Sequence, residues 1–225
     1  MQVLVFDTSL DKTYITLALQ DSKTETSTFV STKIKSSKLK YHSAYLISQI
    51  KQILANNFVE LKNIDAIGVN IGPGSFTGIR VCLTVAKIIA QQLNIRLVGV
   101  SSCEILSKIF LSEGKICPVL MDARREMYYC YNQEKGTKVH LFKKDELNEF
   151  FEELDKNIPI ICDTNCASII KEAGFKAINF EEESFELGEI LAGITLSKLK
   201  TITKIGQCHW SAVKPLYVQT PPVLG

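Results

Sequence analysis

No lysine stands between Ile71 and Arg80, no two cysteines have Cys-x-x-Cys spacing, and no apolar run is long and unbroken enough to span a bilayer. Each lack removes a class of function. The first rules out a phosphate-gripping P-loop in the glycine-rich stretch before Arg80, because that motif needs Lys followed by Ser or Thr at its second glycine. The second argues against zinc. The seven cysteines, at 82, 103, 117, 130, 162, 166 and 208, are odd in number, and Cys162 and Cys166 stand four apart with no matching histidine pair. They read as buried reduced thiols of a cytosolic protein. An excess of one charge is missing too. Lys and Arg number 26 against 24 Asp and Glu, so the net charge of +2 sets up no strong field for nucleic acid or membrane. The segment Met1 to Asp7 has no basic flank or cleavage site and is expected to be a strand, not a signal peptide. With 46% apolar and 22% charged residues, the 225-residue chain has soluble globular composition and length for one large domain or two small lobes.

What is present centres on Gly72-Pro73-Gly74-Ser75-Phe76-Thr77-Gly78-Ile79-Arg80. An apolar run from Ala66 to Ile71 breaks at the Gly-Pro-Gly turn, and a long apolar helical stretch then runs to Leu93. Glycines at 72, 74 and 78 allow close backbone approaches that side chains would block. Ser75 or Thr77 is placed to cap the following helix. Strand, turn and helix N-terminus together suit an anion or a partner's backbone. A tight connection with no ligand fits the same residues. The spacing is one residue too long for the dinucleotide fingerprint, and the next strand, Arg96 to Val100, ends in Ser101-Ser102 where that fingerprint wants an acid.

Along the chain, strands are predicted at Val3 to Asp7, Tyr14 to Gln20 and Glu25 to Val30. A helix comes next with Tyr41, Ala44, Tyr45, Ile47, Ile50, Ile53 and Leu54 at helical spacing, then the Ala66 strand, the helix to Leu93 and the Arg96 strand. The second half repeats this order. Strands are predicted at Ile116 to Met121, Met127 to Tyr131 and Lys138 to Phe142, a helix from Asp145 to Leu154, a strand at Ile158 to Cys162, a helix at Cys166 to Ala173, a strand at Lys176 to Asn179 and a helix near Glu186 to Leu199. The pattern βββαβα occurs twice, which predicts an α/β protein of two related lobes. The boundaries drawn are 1–112, 113–200 and an irregular tail over 201–225.

A doubled βββαβα unit with Asp7-Thr8-Ser9 closing its first strand resembles the two-lobed actin-like and Hsp70-like (ASKHA) fold. The set Phe6-Asp7-Thr8-Ser9, the GPGSFTG-x-R element at 72–80, Gly99-Val100-Ser101-Ser102, Met121-Asp122-Ala123-Arg124-Arg125 and Pro215-Leu216-Tyr217 is narrower and resembles the TsaB family. That resemblance implies a non-catalytic subunit that binds and supports TsaD, the paralogue that forms N6-threonylcarbamoyladenosine (t6A) on tRNA. TsaE joins the assembly, and tRNA is met indirectly through the complex. It implies a cytoplasmic protein with no membrane contact and no cofactor of its own, with ATP at the heteromeric interface left open. Two departures stand out: Gln219 replaces the family's usual Arg, and Glu126 follows Arg125 where a Gly-Glu is usual.

The catalytic paralogue holds metal with a His-x-x-x-His pair. Here His42 is followed four residues on by Leu46, and only His140 and His209 remain elsewhere. Asp7 and Asp122 are the acids of a possible nucleotide cleft. A kinase or ATPase using them with magnesium is the alternative reading, and each acid capping its own turn is the plain one. Neither following loop has glycine, so phosphate contacts through bare backbone are poorly provided for. The helix from Phe76 is apolar nearly all round except for a stripe of Arg80, Thr84 and Lys87. That surface suits either a partner protein or a helix wedged between lobes. Under the resemblance, the partner interface comprises Tyr41, His42, Tyr45, Leu46, Gln49, Arg80, Leu83, Thr84 and Lys87, pairing with equivalent helices of TsaD or, in isolation, with a second copy. Leu83→Glu or Tyr45→Glu is then expected to abolish the complex and leave the monomer folded. Lys33, Lys35, Lys38 and Lys40 form a basic stretch that reads as solvated or as a tRNA phosphate contact.

Overall fold

The computed structural model describes residues 1–21, 23–34, 45–201 and 208–218. Tyr41, His42, Lys35, Lys38, Lys40 and Gln219, all singled out above, lie outside these residues.

The first sheet is built around β1 (Gln2–Asp7), whose side chains from Val3 onward are all buried. A strand covered on both faces reads as an unbroken apolar run, which is why Val3-Leu4-Val5-Phe6 lacks alternation. β1 pairs antiparallel with β2 (Thr13–Gln20), Val5 opposite Thr16, and β2 pairs antiparallel with β3 (Ser27–Ile34). On its other side β1 runs parallel to β4 (Ala66–Asn70), which runs parallel to β5 (Arg96–Val100). The order is β3-β2-β1-β4-β5. Helices α1 (Leu46–Asn56) and α2 (Phe76–Leu93) share one core with this sheet: Leu4, Phe6, Ile15, Leu17, Ile67 and Val69 pack with Leu46, Ile50, Ile53, Cys82, Leu83 and Ala86.

The second sheet repeats the plan. β6 (Val119–Arg124) pairs antiparallel with β7 (Met127–Tyr131), and β7 with β8 (His140–Lys143). β6 runs parallel to β9 (Ile160–Cys162), and β9 to β10 (Ala177–Asn179). The order β10-β9-β6-β7-β8 is that of β5-β4-β1-β2-β3, strand for strand. Helices α4 (Leu147–Glu152) and α5 (Ala167–Glu172) cover it through Leu120, Cys130, Phe150, Phe151, Ile160 and Ile170. Phe151 and Phe175 stack there with centroids 5.6 Å apart.

Two five-stranded mixed sheets with helices make the α/β, two-lobed ASKHA-like architecture that the doubled pattern predicts. The unit boundaries differ from the linear division. The chain separates into 1–102 with 186–216, and 103–185 with 217–225, instead of breaking near 112 and 200. The last helix of each repeat is the reason. α6 (Leu187–Thr201) comes after β10 in sequence but belongs to the first unit, whereas α3 (Ser102–Ser107) comes after β5 and lies almost wholly in the second. α6 is buried on most sides and packs on the first sheet, close enough that a Cβ at Gly68 would lie 2.1 Å from Thr195 Oγ1. Part of the expected tail, 208–216, also returns to the first unit. Among the described residues no helix is long and apolar enough to cross a membrane.

Candidate functional site

The glycine turn is held by the end of β1. After Asn70 the chain passes through Ile71, Gly72 (φ 102°), a cis Gly72–Pro73 peptide bond and Gly74 into α2. Ser75 is the N-cap, its Oγ accepting from Gly78 N at 3.3 Å, while Thr77 is exposed. Of the two residues placed to cap, Ser75 does so. Thr8 and Ser9 lie directly against the turn. Ser75 N donates to Ser9 O at 2.9 Å, and Thr8 Oγ1 donates to Gly78 O at 2.8 Å. A Cβ on Gly78 would stand 2.0 Å from Thr8 O, and one on Gly74 would stand 2.7 Å from Ser9 O. Main chain, not a flexible side chain, occupies that space, so these two positions need glycine. The partner found for the turn's bare backbone is therefore the chain itself, residues 8 and 9.

Asp7 and Asn70 complete the clasp. Asp7 Oδ1 accepts from Ser9 N at 2.7 Å and Ser9 Oγ at 2.6 Å, and Oδ2 accepts from Asn70 Nδ2 at 3.0 Å. Asn70 Oδ1 in turn accepts from Gly72 N at 2.8 Å and Ser102 Oγ at 3.0 Å. The acceptors of this buried pair thus satisfy donors that the fold has taken out of water. Burial pushes the Asp7 carboxyl above its ordinary value, against the opposing pull of the Ser9 and Asn70 hydrogen bonds. Sequence reasoning assigned no role to the side chains of Asn70 and Ser102. The available signal was a lone polar residue closing the apolar strand Ala66–Asn70.

Asp122, the corresponding acid of the second unit, is half-exposed. Its Oδ1 accepts from Arg124 N at 2.7 Å and its Oδ2 from Asn165 Nδ2 at 2.9 Å. Its own backbone N donates to Asp163 Oδ2 at 2.6 Å, and Asp163 Oδ1 accepts from Cys166 N at 3.1 Å. Burial raises the Asp163 carboxyl as well. Both strand-end acids hold the turns next to them, as the plain reading has it. For a nucleotide, each would have to release these donors, and the connections at 8–12 and 124–126 present side chains where phosphates would need bare backbone. The residues fit a nucleotide site poorly. Among the described residues no three His, Cys, Asp or Glu side chains are grouped to hold a metal ion. All seven cysteines are buried free thiols, and burial pushes Cys162 up to about 12.

The residues expected at a partner interface divide. Tyr45 at the start of α1 is 56% exposed, Gln49 and Lys87 are half-buried, and Arg80 and Thr84 are exposed on α2. Leu46 and Leu83 are not surface residues: they are 0% and 5% exposed and belong to the first unit's core. The inward stripe of α1 is Leu46, Ile50, Ile53 and Leu54, which turns Ile47 outward at 56% exposure, although its spacing places it inside. On α2, Ile88 is 55% exposed, and nothing in the sequence pattern selects it. The outward large apolar side chains of these two helices are therefore Tyr45 and Ile47 at the start of α1 and Ile88 on α2, where Arg80, Thr84 and Ile88 follow at four-residue spacing.

Comparison with known proteins adds to this geometry. Residues 31–207 match the family model described as TsaD: tRNA N6-adenosine threonylcarbamoyltransferase. A protein of Buchnera aphidicola subsp. Baizongia pistaciae named tRNA threonylcarbamoyladenosine biosynthesis protein TsaB is 33% identical over 119 residues, 52% of this chain and 50% of that one. The protein of the same name from Haemophilus influenzae is 26% identical over 154 residues, 68% of this chain and 60% of that one. The chain spans about half the length of the first of these curated relatives. Among solved structures, YeaZ from Pseudomonas aeruginosa superposes with a TM-score of 0.73 at 18% identity, covering 96% of this chain and 100% of that one, a likeness of fold. The chain belongs to the family that the TsaD model describes and, within it, to the TsaB family.

Proposed function

We propose that this protein is a non-catalytic, cytoplasmic partner subunit that binds and supports TsaD in forming t6A at position 37 of tRNAs reading ANN codons, with TsaE in the assembly. The relatives' names supply the pathway. The observation that carries the partner role is the outward apolar set Tyr45, Ile47 and Ile88 on α1 and α2. Large apolar side chains that a unit leaves in water mark a binding surface, and on α2 Arg80 stands on the same stripe as Ile88. The strand-end acids support the absence of catalysis: Asp7 is enclosed and fully engaged by Ser9 and Asn70, and Asp122 is engaged by Arg124 and Asn165.

The test is light scattering on size-exclusion fractions of this protein mixed with TsaD from the same source. A complex mass is expected, and Tyr45→Glu or Ile88→Glu is expected to abolish it while the circular dichroism melt stays that of the parent. Leu83→Glu no longer serves, because a charge placed in the core unfolds the protein. Co-elution of both surface variants with TsaD at parental strength would refute the face. In isolation the same face pairs two copies, and the same fractions report that mass.

A further inference from the structure

We propose that the turn between β6 and β7, together with the chain leaving β8, is a phosphate-binding edge that holds the sugar–phosphate backbone of an RNA. The turn is unusual first in its backbone. Arg124, Arg125 and Glu126 take φ values of 65°, 55° and 58°, three successive left-handed residues with no glycine among them. Two hydrogen bonds hold it: Arg124 N to Asp122 Oδ1 at 2.7 Å and Lys144 N to Glu126 O at 3.1 Å. A glycine would make this turn at less cost, so the two arginines stand here against the local backbone preference.

Beside the turn lies an open cavity of about 670 Å³, lined by Arg125, Glu126, Met127, Lys143, Lys144 and Asp145. Elsewhere in the molecule Lys33, Lys62, Lys108, Lys115 and Lys200 are paired with carboxylates, whereas other exposed lysines such as Lys51, Lys138 and Lys176 have none among the described residues; what sets this edge apart is that three cations line one cavity. Among the described residues Arg124, Arg125, Lys143 and Lys144 have no such partner, although Glu126 and Asp145 share the same rim. The nearby Glu146 carboxylate is occupied as well, accepting from the backbone N of Lys143 at 2.8 Å. All four cationic side chains are exposed. The cavity therefore offers the Arg125 guanidinium and the Lys143 and Lys144 ammonium groups around one opening, with Arg124 on the adjoining turn.

Guanidinium forks and ammonium groups around an open cavity match phosphate oxygens. The two rim carboxylates leave only a small cationic excess, which suits the single charge of a phosphodiester better than a triphosphate. Among the described residues no aromatic ring lines the cavity, so bases find nothing there to stack on and the contact reads backbone instead of sequence. That the polyanion is an RNA rests on the function proposed above, whereas the phosphate chemistry does not.

The experiment titrates unmodified tRNA into the complex of this protein with TsaD, monitored by fluorescence anisotropy over a series of salt concentrations. Arg125→Glu/Lys144→Glu is expected to weaken binding about 10-fold near 0.1 M salt and to lower the slope of log K against log salt by about 2, while the complex mass is unchanged. Arg125→Gln/Lys144→Gln is expected to fall between, and it carries the test if the charge reversal melts early. Parental affinity and slope in an assembled variant would overturn the proposal. Displacement of tRNA by millimolar ATP or inorganic phosphate, beyond a potassium chloride control of equal ionic strength, would also overturn it, in favour of a small-anion site. If no complex with TsaD forms, the partner reading fails separately and the titration is made on this protein alone. There, binding that the variants weaken supports the edge, and no binding by the parent refutes it.

Discussion

The two repeats place the same hairpin at the end of the same central strand and use it in opposite ways. In the first, Thr8, Ser9 and Lys12 are buried, Lys12 is 3.0 Å from Asp11, and the backbone of residues 8 and 9 is clasped by Gly74 and Gly78. In the second, Arg124, Arg125 and Glu126 are exposed, the turn is left-handed throughout, and its cations stand without carboxylate partners among the described residues. The difference originates at the exit from the fourth strand of each repeat. β4 leads into a glycine turn that brings backbone against the hairpin, whereas β9 leads into Asp163-Thr164-Asn165-Cys166, which has no glycine and reaches its hairpin strand through Asp163 and Asn165 side chains. One topology thus yields a sealed corner in one unit and an open, charged one in the other.

The largest effect is expected where the sealed corner has no slack. Gly78→Ala forces a methyl group to 2.0 Å from Thr8 O, and unfolding in urea should show a loss of roughly 3 kcal/mol. Asp7→Ala strands the donors of Ser9 and Asn70 in the interior and should cost roughly 2 to 3 kcal/mol, whereas Asp122→Ala at the open corner, where water replaces the carboxylate, should cost less than about 1 kcal/mol. Equal losses for the two aspartates would break the comparison.

The pH dependence of stability sharpens it further. Burial raises the Asp7 carboxyl, so the folded chain binds that proton more tightly than the unfolded one. The contribution to stability is full below the ordinary carboxylate value of 3.8 and is lost as pH rises through the higher folded value. Asp7→Asn should flatten that part of the profile when unfolding free energy is measured from acid to neutral pH. The smallest effect belongs to the open turn. Glu126→Gly relieves a left-handed residue at φ 58° and should stabilise the protein by roughly 0.5 kcal/mol, read as a small rise in the urea midpoint.

Much of this was legible in the residues. β7 matches its predicted bounds, Met127 to Tyr131, because aromatic residues and flanking turn signals coincide there. The passage from Ala66 through the glycine turn into α2 was readable for the same reason: an apolar run, a break and a cap in succession. What escaped was rotational phase and distant contact. Placing Ile47 inside and Leu46 outside treats α1 as if its stripe ran through Tyr45 and Ile47, but four inward positions at 46, 50, 53 and 54 set the phase one residue away. Leu83 shows the same limit, since an all-round apolar helix does not reveal which side meets its own sheet. The hydrogen bonds joining Asn70 to Asp7 and Ser102 link positions far apart in the chain, and no periodicity marks them.

The sequence by itself determined the elements, their order, the repetition of βββαβα and the glycine turn capped by Ser75, because each depends on neighbours within a few residues. Only the tertiary structure decided that α6 packs on the first sheet and α3 belongs to the second unit, that Gly74 and Gly78 exist to admit residues 8 and 9, and that Asp7 is enclosed while Asp122 is not. Periodicity tells a helix how much of its surface to bury. Which surface it meets depends on where the rest of the chain has already folded.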